Sequence, residues 1–141
     1  MNRLLLALSL ATVLSGAAFA QESATLVLYR PKRFIGSGLT PSVYVDGKQV
    51  ARLDNGRFFS VKVDPGKHVV ESSMKSHAGL ELDLKPREVT YLEMVILAGN
   101  WRGGGRLIPT PAEDAKVAMK KLKPLDSQWV VDKEHVAFEG R

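Results

Sequence analysis

The chain has 141 residues, no cysteine and a formal net charge of +5. That length suggests one domain, and the missing cysteines exclude disulfides, thiolate metal sites and a cysteine nucleophile. The mild positive charge favours anionic surfaces weakly and does not by itself indicate nucleic acid.

The first twenty residues read as a secretory signal peptide. Arg3 gives a positive start, Leu4 to Leu14 is an apolar run broken by Ser9 and Thr12, and Ala18-Phe19-Ala20 is a small-x-small cleavage site. The run is well short of the ~20 residues that a spanning helix needs. Leu14-Ser15-Gly16-Ala17 resembles a lipoprotein box without the cysteine that would carry the lipid. The expectation is an exported protein, periplasmic or secreted, with no transmembrane segment after cleavage. From Gln21 on, 19 Lys and Arg (20 less Arg3) face 15 Asp and Glu.

Ala24 to Tyr29 is apolar on both faces and is expected to be a central strand. Arg30 to Thr40 (RPKRFIGSGLT) is an ordered-looking loop, opened by Pro31 and carrying Gly36 and Gly38. The stretch from Ser42 to Ser72 organises the rest as a β meander. Strands at Ser42–Val45 and Lys48–Leu53 are joined by Asp46-Gly47, and Asn55-Gly56 is expected to make a second hairpin to Arg57–Val63. Asp64-Pro65-Gly66 specifies a type II turn, whose twist fits a tight hairpin poorly, so the chain is expected to change sheets there. Lys67–Ser72 is the fifth strand. Leu80–Leu84 alternates as a half-buried strand, and Val89–Leu97 is the longest.

Gly99 to Arg106 (GNWRGGGR) reads as a glycine-rich loop before a short last strand at Leu107-Ile108. A helix is expected over residues 110–122, with Thr110 as N-cap, Pro111 at the first position and Glu113 closing a capping box. Ala115, Ala118, Met119 and Leu122 form its apolar face, and Pro124 stops it. From Ser127 onward the pattern fits helix, strand or a loosely docked tail equally, with Trp129 expected to pack on the body. The fold class is therefore all-β: an antiparallel β-sandwich of about seven or eight strands with one short C-terminal helix. Its domain spans 21–126, and 127–141 is a tail.

The segments YRPKRFIGSG, PSVYVDGKQVARL, FFSVKVDPGKHVVES and WRGGGRL together resemble a group of bacterial exported proteins and lipoproteins known as the domain of unknown function 2846. The VDGK…DPGKH portion is also similar to PEGA-type repeats, small β units of bacterial envelope proteins. The resemblance implies a compact β-sandwich-like fold at the cell envelope and carries no activity with it.

No chemical motif stands out. His68, His77 and His135 are the candidate general bases, but no nucleophile elbow surrounds any serine. Met74 and His77 share a loop, but two ligands do not close a metal site. Gly103-Gly104-Gly105 lacks the Lys-Ser/Thr and the helix of a phosphate loop. No catalytic residue, metal ligand or cofactor is assigned, and no nucleic-acid partner is expected.

Charge placement says more. If the strands alternate in direction, the loops after strands one, three, five and seven share one end of the domain. They carry Arg30, Lys32, Arg33, Arg57, Lys75, Arg102 and Arg106 against Asp54 alone, with Phe34 and Trp101 among them. The opposite end holds four cations and three anions, from Asp46 to Glu88. Arginines beside an exposed aromatic suit phosphate, carboxylate or sugar groups. The expected ligand-binding residues are Arg30, Lys32, Arg33, Phe34, Trp101, Arg102 and Arg106. The expected function is that of a non-enzymatic envelope domain binding a protein partner or an anionic polymer such as peptidoglycan, lipopolysaccharide or phospholipid head groups. The alternative is a purely structural accessory module that uses its strand edges. A hydrolase is a third reading.

Overall fold

The computed structural model describes residues 22–74, 79–97 and 104–137. The expected signal peptide, Lys75, His77, Trp101 and Arg102 lie outside the described residues. The chain forms a two-sheet β-sandwich. One sheet has the order β10-β4-β1-β7-β8, with β9 pairing β4. The other has the order β3-β2-β5-β6. The long strands are β1 (Ala24–Tyr29), β2 (Ser42–Val45), β3 (Lys48–Arg52), β4 (Arg57–Val63), β5 (Gly66–Ser72), β6 (Leu80–Leu84), β7 (Val89–Leu97) and β8 (Gly104–Thr110). The helix α1 (Ala112–Met119) follows, then the two-residue strands β9 (Lys123–Pro124) and β10 (Val136–Ala137).

β1 is central, as its two apolar faces imply. It pairs antiparallel with β4 and parallel with β7. Leu26, Leu28, Val43, Leu53, Phe59, Val70, Leu92 and Met94 are fully or almost fully buried in one core cluster. Each such side chain contributes about 1.5–3 kcal/mol relative to exposure. Without disulfides, that burial is what holds the sheets together.

Asp46 (φ 52°) and Gly47 (φ 79°) make the expected two-residue hairpin between β2 and β3. The sheet change at Pro65 is also present: β4 lies in one sheet and β5 in the other. Four local expectations are corrected. Asn55-Gly56 is not a hairpin, because β3 and β4 belong to different sheets. The amide of Asn55 is spent instead on the backbone of Arg33. The last strand is seven residues, not two. Gly104 and Gly105 extend the β7 ladder, and a Cβ at Gly105 would come within 3.2 Å of Met74. Thr110 belongs to β8 rather than capping the helix. Its hydroxyl donates to the Ile108 carbonyl, and α1 starts after Pro111 with no side-chain cap. The helix ends at Met119, short of Leu122.

The segment after Lys123 is woven into the body. β9 and β10 both pair with β4, Val130 bridges to Ala51, and the Arg52 guanidinium stacks 4.9 Å from the Trp129 ring centre. These two short strands bring the count to ten among the described residues.

Candidate functional site

Strand directions alternate, so the loops after β1, β3 and β5 meet at one end. Leu53 N–H donates to the Pro41 carbonyl, and Ser73 N–H to the Ser42 carbonyl. Gly105 N–H donates to the Met74 carbonyl, which brings the start of β8 to the same end. Among the described residues, Arg30, Lys32, Arg33, Arg57 and Arg106 lie there against Asp54.

Arg30 does not lie on the surface of this end, where the binding set expected it. It is only 2% exposed. Its Nη2 donates to the Gly36 carbonyl at 2.6 Å, and its Nη1 to the carbonyls of Leu39 at 2.6 Å and Leu53 at 3.2 Å. Burial lowers its pKa, and the charge of Asp54 acts in the opposite direction. A guanidinium stays protonated under ordinary conditions. Its five donors in a fixed fork let one cation bind three carbonyls that the loop leaves without sheet partners. Arg30 is thus the internal post of the loop.

The loop is pinned from the other side as well. Asn55 accepts from Arg33 N–H at 3.0 Å and donates to the Arg33 carbonyl at 2.9 Å. Ser37 N–H donates to the Phe34 carbonyl, closing a turn whose third residue, Gly36, has φ +77°. That is the conformation of a type II turn. A Cβ on Gly36 would sit 2.8 Å from Ile96 Cγ2, so glycine also lets the turn lie directly on β7. With Gly36 seated, Phe34 and Ile35 are held outward, 94% and 60% exposed. Phe34 does not cap the core. Lys32 packs its stem near Gly56, and Lys32 and Arg33 are exposed beside the tip. Leu39 and Leu97 add exposed apolar surface at the same end. A shallow pocket lies alongside, lined by Gly38, Leu39, Arg52, Ser73 and Met74 among others.

Of the seven expected binding residues, the structure brings Lys32, Arg33 and Phe34 together on the loop. It places Arg106 exposed at the nearby start of β8, and it puts Arg30 inside. Trp101 and Arg102 lie outside the described residues. Sequence reasoning missed Ile35, read Asn55 as a hairpin residue rather than a clamp on the loop, and had Gly36 only as a residue that allows a sharp turn. The signal available was Phe34-Ile35, two adjacent large apolar residues between a proline and two glycines in a loop.

The opposite end is built differently. His68 and Asp46 line an open cleft of about 520 Å³ with Ser23, Lys48, Asp132 and His135. His68 Nδ1 lies 2.6 Å from Asp46 Oδ2, and Nε2 lies 2.6 Å from the Asp64 carbonyl. Both partners accept, so the ring donates twice, as an imidazolium. Burial opposes that charge, but the contacts with Asp46 and Asp64 prevail and raise the pKa of His68. Burial would raise Asp46, and the Val69 N–H and His68 more than offset it, leaving it low. His135 Nδ1 lies 2.9 Å from Asp132 Oδ2. Asp132 is likewise held low against its burial by His135. With both His68 nitrogens engaged, neither is free to take a proton from serine. Among the described residues no group of three or more His, Asp or Glu side chains could hold a metal ion, and no helix is long and apolar enough to cross a membrane.

No curated protein matches the chain. A family model described as a protein of unknown function (DUF2846) matches residues 20–105, which run from before β1 into β8 and include the whole basic loop. The chain belongs to this family of unknown function.

Proposed function

We propose that this protein is a non-enzymatic, exported envelope domain that binds an anionic partner through its basic loop end. One observation carries the reading. A loop tied down by a buried arginine and an asparagine clamp presents Phe34 almost wholly to solvent beside Lys32 and Arg33. Exposed aromatics on a prepaid backbone, next to cations, are the composition of interaction hot spots. The N-terminal apolar run and its small-x-small site support export.

The test is capture of the chain by isolated sacculi, outer-membrane lipid and total periplasmic protein. Wild type is run beside a Lys32→Glu, Arg33→Glu, Arg106→Glu variant at low and moderate salt. Salt-sensitive capture that the variant loses is the expected result. Equal capture of both forms would move the contact elsewhere. The outer edge of β6, which among the described residues pairs only with β5, is then the surface to examine.

A further inference from the structure

Resting on that reading of the loop end, we infer that its ligand is the surface of an anionic bilayer. The side chains of Phe34 and Ile35 enter the interface, and Lys32 and Arg33 meet headgroup phosphates. Three features of the tip favour a bilayer over a polymer or a folded partner.

The first is shape. Two adjacent large apolar side chains project from a turn, 94% and 60% exposed. A saccharide or peptide chain is gripped by a concave site with convergent donors. A convex apolar tip needs a soft apolar phase to enter, which the acyl boundary of a bilayer supplies.

The second is the backbone. A segment that leaves water must satisfy its own peptide groups. Here the Phe34 carbonyl accepts from Ser37 N–H, and Leu39 N–H donates to the Gly36 carbonyl. The Gly36 and Leu39 carbonyls are capped by Arg30, and both backbone groups of Arg33 are taken by Asn55. The turn can therefore approach a low-dielectric layer with much of its polar backbone already paired.

The third is charge. Lys32 and Arg33 immediately precede the apolar pair, and among the described residues of these loops Arg57 and Arg106 add two more cations against Asp54. This is complementary to an anionic headgroup layer, whose attraction acts on each cation near the surface. The exposed Leu39 and Leu97 extend the apolar contact on the same end.

The experiment uses the chain from Gln21 on, the form expected after signal cleavage, which keeps all the strands found among the described residues. Sedimentation is measured with phosphatidylcholine vesicles and with vesicles containing phosphatidylglycerol. Wild type is compared with Phe34→Ser/Ile35→Ser and with Lys32→Glu/Arg33→Glu, and sacculi are assayed in parallel. The expected result is binding to the anionic vesicles only, weakened by salt and reduced at least about tenfold by either double substitution. Circular dichroism melts of the exposed-residue variants should match wild type. Vesicle binding that ignores the Phe34/Ile35 change would overturn the inference. So would charge-dependent capture by sacculi with none by vesicles, although that outcome would leave the proposed anionic binding standing. Binding to neither would remove both.

Discussion

The two ends of the sandwich solve opposite problems. At the turn end, polar side chains are paired, each largely buried one with a more exposed partner: His68 bridges Asp46 and the Asp64 carbonyl, and His135 lies on Asp132. At the loop end, the arrangement is inverted. A cation, Arg30, is buried, while Phe34 and Ile35 stand in solvent. Folding gains from the buried Arg30, which holds the loop, but not from the outward placement of Phe34 and Ile35. Pairing within the fold accounts for the histidine–carboxylate end, and the proposed binding role is what would account for Phe34 and Ile35 at the other.

The largest effect is expected from Arg30→Met. It keeps most of the volume and removes the guanidinium donors from the carbonyls of Gly36, Leu39 and Leu53, of which Gly36 keeps the Leu39 N–H. The expected loss is about 3 kcal/mol in urea unfolding, together with faster amide exchange across 30–40. A loss below 1 kcal/mol would mean that Arg30 is not the post of the loop. Gly36→Ala comes next, at about 1–2 kcal/mol. The φ of +77° disfavours a Cβ, and the neighbouring Ile96 must give way. If its melting temperature equals that of wild type, the turn is not seated on β7.

A smaller effect sharpens the other end. The folded pKa of His68 is raised above its ordinary 6.5. Its contribution is therefore complete below 6.5 and is lost as pH rises through the folded value. Asp46 is shifted down, so its share is present at neutral pH and lost only as pH falls through its own folded value. Stability should fall in wild type as pH rises from 6.5 through the folded pKa of His68. His68→Asn should cost about 1 kcal/mol at pH 6 and flatten that slope. An unchanged slope in the variant would assign it to another group. The smallest effect on stability belongs to Phe34→Ser, within about 0.5 kcal/mol, because the ring touches little of the fold. A clear destabilisation would place the ring against the core after all.

Local chemistry made much of the fold legible. The alternation in Leu80–Leu84, the Asp46-Gly47 turn and the sheet change at Pro65 are written in residues a few positions apart. Because the strands alternate, the gathering of the loops at one end followed from counting them. Pairing partners were less accessible. Asn55-Gly56 has hairpin chemistry, yet β4 crosses to lie beside β1, since the apolar β1 needs two neighbours. Gly104 and Gly105 look like loop, and the close approach of Gly105 to Met74 makes glycine suit the strand there. Arg30 follows a strand and precedes a proline, as a surface arginine would. Its burial depends on three carbonyls as far as 23 residues away, which no local pattern announces. The candidate site was therefore legible as a basic aromatic loop, but not as a loop built around one of its own cations.

The most direct test of that architecture needs no ligand. Backbone ¹⁵N order parameters for Lys32 to Leu39 would be measured in wild type and in Arg30→Met. The expected values are near those of the strands in wild type, about 0.8, dropping toward 0.6 or below in the variant. A loop already mobile in wild type, or one indifferent to the loss of Arg30, would contradict a pre-formed binding tip.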